Sequence, residues 1–208
     1  MDSAVTSFIL GYHGCDRSLA ERVFAGTDVL RPSNNDYDWL ADGIYFWEHN
    51  VQRAYQFASE LRDRPRNDRQ RVIDPAVVGC IIELGSCLNL LDARFIELVR
   101  VAHADLVGFH QQSGTRPPSN TGGPDLLRRE LDCEVIRTVH LGRKLHGGVP
   151  FDTVRAAFVE GGPLYENAGF AAKNHIQVCV RNPAALKGYF RPLGSDGRPM
   201  AFGEASPP

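Results

Sequence analysis

The sequence predicts an α+β fold, and three observations carry that reading. Short apolar runs that fit buried strands stand at 7–13, 77–84 and 176–180. Segments with apolar residues at helical spacing lie between them, following Asn50 and Asp92. Polar stretches rich in Gly, Pro, Ser and Asn punctuate the rest, most clearly at 31–42 and 113–124. The 208 residues suit one domain spanning 1–208, with a variable helical and loop insert at about 85–150.

The elements follow in order. Ser7 to His13 reads as a short buried strand. Ser18-x-x-Glu21 fits a capping box, with Leu19, Val23 and Phe24 for the core and Gly26 as the stop. The irregular stretch 31–42 delivers a strand at 43–47. Asn50 then caps a helix whose apolar face is Val51, Ala54, Tyr55, Ala58 and Leu61. Residues 62–71 form a polar loop carrying Arg62, Arg64, Arg66, Arg69 and Arg71. The run Val77 to Leu84 is a buried strand. A helix from Asp92 places Phe95, Leu98, Val99, Ala102, Leu106 and Phe109 on one face, and a second spans Leu126 to His140. Thr153 to Glu160 and Ile176 to Val180 are late strands, joined by a loop with Gly161-Gly162-Pro163.

Composition narrows the function. The chain is 43% hydrophobic and 23% charged, with a formal net charge of -2, so nothing in the total favours a nucleic-acid or membrane partner. No apolar run reaches the roughly 20 residues of a membrane span, and Met1 to Leu10 has no secretory pattern. The five cysteines, at 15, 80, 87, 133 and 179, are odd in number and lack a CxxC pair. That pattern predicts reduced thiols in a cytoplasmic protein, with no metal site.

Two short motifs carry the chemistry. Gly11-Tyr12-His13-Gly14 ends the first strand, and Gly43-Ile44-Tyr45-Phe46 forms the second. Near the C-terminus comes Asn174-His175-Ile176-Gln177-Val178-Cys179-Val180, followed by Asn182-Pro183 and Tyr189-Phe190. In this order and spacing they resemble the poly(ADP-ribose) polymerase-like branch of the ADP-ribosyltransferases. The resemblance implies a split β-sheet of two packed half-sheets with flanking helices, around a cleft for NAD. It implies that His13 binds a ribose hydroxyl and that the Gly14 backbone holds the nicotinamide amide. Tyr45 stacks on the nicotinamide ring, and Tyr55 closes over its other face. Gln177 stands where the family usually has Glu. An amide can hydrogen-bond a hydroxyl but carries no charge and cannot act as a base. The departure fits single ADP-ribose transfer and puts polymer elongation in doubt. Glu160, before the loop that precedes the Gln177 strand, is the candidate for the missing carboxylate; its bland alternative is a solvated loop residue. Asp36, Asp38 and Asp42 either contact NAD or cap turns.

The implied activity is mono-ADP-ribosyl transfer from NAD to a macromolecular acceptor, protein or nucleic acid. A freestanding domain of this kind resembles bacterial toxins of toxin–antitoxin and phage-defence systems, which adds an antitoxin as a partner. Three alternatives stay open: an inactive NAD or ADP-ribose binder, an NAD glycohydrolase, and an RNA 2′-phosphotransferase, for which Arg17 is the only basic start.

Overall fold

The computed structural model describes residues 8–63, 71–200 and 202. The protein is a mixed α+β molecule with nine strands and four α-helices among these residues. Seven strands form one mixed sheet in the hydrogen-bonded order β4-β7-β8-β2-β1-β3-β9. They are β1 (Phe8–Asp16), β2 (Ile44–Glu48), β3 (Pro75–Glu83), β4 (Cys87–Asn89), β7 (Thr153–Phe158), β8 (His175–Val180) and β9 (Leu186–Phe190). β4 runs parallel to β7, whereas β7 and β8 are antiparallel. A separate hairpin joins β5 (Asn120–Thr121) to β6 (Arg128–Arg129). The chain divides into two compact units.

One unit holds the described residues of Ser7–Leu30, Phe46–Glu83 and Leu186–Pro208. β1 pairs with β3 along its whole length, from Phe8 opposite Glu83 to Asp16 opposite Pro75. Helix α1 (Arg17–Phe24) starts two residues earlier than the Ser18 capping box predicts. Asp16 is the N-cap: its carboxylate accepts from the Ser18 amide at 3.0 Å and also from the amides of Ile73 and Asp74. A carboxylate serves several donors at once, so it outcompetes the Ser18 hydroxyl for the cap. Helix α2 (Val51–Asp63) begins as expected, with the Asn50 side chain accepting from the Arg53 amide at 2.9 Å. Its Ala54, Ala58 and Leu61 are buried, and Trp47, Ala54 and Val77 centre a core that Tyr12, Tyr55 and Phe57 flank. Of the arginines at 62–71, Arg62 pairs with Asp63, while Arg64, Arg66 and Arg69 lie outside the described residues. Arg17 binds Asp74 through its guanidinium.

The other unit holds the described residues of Arg31–Tyr45 and Leu84–Ala185. Here the segment 85–150 is structurally continuous with the strands. Helices α3 (Ala93–Gln112) and α4 (Glu130–Leu145) share a core with β4, β7 and β8, built on Leu88, Leu106, Ile136, Phe151, Val154 and Cys179. Helix α3 starts where the sequence predicts, and Asp92 is its N-cap, accepting from the Arg94 amide. The predicted apolar face of α3 is too wide: Ala102 and Leu106 are buried, but Phe109 is 65% exposed and Leu98 is also exposed. The second predicted helix shifts from 126–140 to 130–145. Leu126, at φ 48°, and Leu127 belong instead to the exposed turn of the β5–β6 hairpin. All five cysteines are free, and all but Cys87 are buried. No helix among the described residues is long and apolar enough to cross a membrane.

Candidate functional site

β7 and β8 set the register of the late-strand site. Gln177 lies opposite Ala156, and His175 lies opposite Phe158. Residues two apart on a strand share a face, so His175, Gln177, Ala156 and Phe158 all stand on one side of the sheet. Phe158 and His175 stack with ring centroids 5.3 Å apart and planes 18° apart. The His175 ring is fixed by Nδ1, which donates to the Lys173 carbonyl at 2.6 Å, since a carbonyl oxygen only accepts.

Two side chains from elsewhere in the unit, those of Trp39 and Arg129, converge on this face. The Trp39 indole N–H donates to Gln177 Oε1 at 2.6 Å. The Trp39 ring meets Phe158 edge-on at 4.8 Å. The Arg129 guanidinium lies 4.1 Å from the Phe158 ring centre and 5.3 Å from that of Trp39, a cation–π arrangement on both. Arg129 is itself held by the carbonyls of Leu126 and Asp125 and by Asp132. Arg129 and Asp125 both come from the middle of the chain, where the sequence resembles nothing nameable.

Tyr45 belongs to the same assembly, by a route the motif does not suggest. Its hydroxyl accepts from the Leu40 amide at 3.0 Å and donates to the Ala41 carbonyl at 2.7 Å. It therefore locks the backbone directly after Trp39, and Ala41 adopts φ 62° there. Burial, then the neighbouring Cys179 and Asp38, pushes the phenol well above its ordinary range, so it stays protonated and able to donate. Gly43, the first residue of the second motif, faces Cys179 Sγ and the Val180 carbonyl so closely that no Cβ fits. The loop aspartates divide. Asp38 accepts from the Asn35 amide and closes a turn, whereas Asp36 and Asp42 both bind Arg137 of α4, at 3.0 and 2.8 Å.

Glu160 is not a solvated loop residue: it is 7% exposed. Its Oε1 lies 3.6 Å from Lys173 Nζ, and its carbonyl accepts the Lys173 amide. The segment 160–173 thus leaves the sheet and returns where buried Glu160 meets half-buried Lys173. The Gly161 amide donates to Asp125 Oδ2 at 3.1 Å, which ties the base of this excursion to the segment carrying Arg129. Its outer residues Leu164, Tyr165 and Phe170 are exposed. A lysine at this distance offsets the negative charge that Glu160 was expected to supply.

The first-strand residues stand in the other unit. His13 is half-buried, with its ring 5.8 Å from that of Phe46. Gly14 is buried, and a Cβ there would run into the Ala54 carbonyl of α2. Glycine is therefore required for β1 and α2 to approach. Tyr55 is half-buried and stacks on Phe202 with centroids 4.8 Å apart and planes 20° apart, so one ring face is covered. The sequence named His13, Gly14, Tyr45, Tyr55, Gln177 and Glu160 as candidates; Trp39, Arg129, Phe158 and His175, which cluster around Gln177, were not among them. The available signal was Trp39, one of only two tryptophans, placed in an otherwise polar loop.

Comparison with known proteins adds little chemistry. The chain is 28% identical to "Uncharacterized protein MJ0359" of Methanocaldococcus jannaschii, over 85% of this chain and 83% of that protein. No family model matches the chain. No solved structure matches it.

Proposed function

We propose that this protein is a mono-ADP-ribosyltransferase, taking NAD as substrate and releasing nicotinamide as ADP-ribose passes to a macromolecular acceptor. The reading rests on the resemblance of the His13-Gly14, Gly43-Ile44-Tyr45-Phe46 and Gln177 segments to that family, whose split sheet the seven strands would represent. The observation that supports it best is the locked amide of Gln177. A side chain held by Trp39, on a loop that Tyr45 pins, is prepared for a ligand rather than left to solvent. In this reading His13 orients a ribose hydroxyl, the Gly14 backbone and the Tyr45 and Tyr55 rings hold nicotinamide, and Gln177 engages the reacting ribose. The acceptor is protein or nucleic acid, and a toxin or phage-defence role, with an antitoxin as partner, follows by analogy alone.

One observation favours a second reading, a binder of NAD or ADP-ribose without turnover. Breaking the nicotinamide bond builds positive charge on the ribose. Gln177 brings none to oppose it, and Glu160 is paired with Lys173. Incubation with labelled NAD and cell extract, followed by protease or nuclease, separates the two. Transfer predicts label on one macromolecule class, as single ADP-ribose units. Glu160→Gln should then slow transfer more than it weakens NAD binding if the carboxylate acts in the transition state. Absence of label and of nicotinamide release, with NAD still bound, would leave the binder reading.

A further inference from the structure

The partner of Gln177 Oε1 determines what Gln177 can offer a ligand. Indole nitrogen only donates, so the atom it meets at 2.6 Å has to be the amide oxygen, which fixes the amide's orientation. The remaining polar atom, Nε2, makes no hydrogen bond among the described residues, and Gln177 is half-buried. Trp39 cannot easily release it. Its ring is gripped by Phe158 at 4.8 Å and by Arg129, and the next two residues are tied to the Tyr45 hydroxyl.

We propose that Trp39 is a positioning residue that turns Gln177 into a hydrogen-bond donor, so that its NH2 group meets an acceptor oxygen of the bound ligand. The inference rests on the NAD reading for the identity of that ligand. There the contact is with the lone pair of a ribose hydroxyl oxygen, and the hydroxyl's own proton must go elsewhere. A carboxylate at this position would do the opposite and accept that proton. The same position thus holds ribose with reversed polarity, and Trp39 enforces the reversal.

Two measurements test this, one independent of NAD. In ¹⁵N-labelled protein, Trp39→Phe assigns the Trp39 indole N–H by deleting it from a pair. Gln177→Leu should move that proton upfield, while Gln177→Glu, which keeps an oxygen acceptor, should leave it downfield. An indole proton indifferent to both substitutions overturns the proposal. In NAD titrations, Trp39→Phe keeps the ring but frees the amide to rotate, and should weaken binding about five- to tenfold. In the Gln177→Ala background the same change should have no further effect, because Trp39 acts only through Gln177. Equal weakening in both backgrounds would show that Trp39 acts by itself and overturn its positioning role. A wild-type protein that binds no NAD, yet shows the indole response, supports the positioning and refutes the NAD reading instead.

Discussion

The two motif-bearing regions are built in opposite ways. The His13-Gly14 end is local: one strand, the helix packed on it, and a glycine whose missing Cβ lets their backbones touch. The Gln177 face is assembled from distant pieces, with Trp39 lying 138 residues away in sequence from the amide it holds. The first is specified by backbone fit, the second by side-chain partners. Residues recognised by motif therefore serve two masters, and Gly14 and Gly43 have packing reasons to be glycine before any ligand is considered.

The largest effects should come from breaking each region by its own logic. Phe158→Ala removes the ring on which Trp39, His175 and Arg129 converge and should cost about 3–5 kcal/mol. Gly14→Ala forces a methyl against the Ala54 carbonyl and should cost about 1–3 kcal/mol. Urea midpoints measure both. An unchanged midpoint for Gly14→Ala would show that β1 and α2 are not as close as described, and would return Gly14 to a purely ligand-binding explanation.

This contrast also explains what the sequence made legible. Asn50 with the helix it caps, and the start of the helix after Asp92, were readable because a helix start is signalled within a few residues. The α+β class was readable from the alternation of periods. Arg129 was not, because its value lies in two rings that arrive from residues 39 and 158. The α4 boundary was misplaced because Leu126 and Leu127 extend a helical pattern that a short hairpin turn interrupts. Glu160 was identified by position, yet its Lys173 partner, thirteen residues on, becomes evident only when the excursion closes.

A smaller effect, in the unit that carries Gln177, concerns His140. This α4 residue is buried against Phe151, and neither ring nitrogen has a hydrogen-bond partner among the described residues. Burial, with Arg181 and Arg143 adding to it, pushes its pKa down to about 3. The unfolded chain takes up this proton near pH 6.5, so between those values the unfolded state binds more protons. The neutral ring's contribution is complete above about pH 6.5 and is lost as pH falls toward 3. The slope is at most roughly 1.4 kcal/mol per pH unit. Urea midpoints at pH 7 and pH 5 should therefore differ more for wild type than for His140→Leu. Equal differences would place a compensating partner beside the ring.

The central proposal is that the protein binds and cleaves NAD. It is tested most directly by nicotinamide release from NAD in cell extract, measured for wild type, His13→Ala and Gln177→Ala at matched folded concentrations. The account predicts release by wild type and a loss of about tenfold or more in each variant, the scale of one positioned hydrogen bond. Release by wild type that neither substitution changes, or no release and no NAD binding by the wild-type protein, would contradict it.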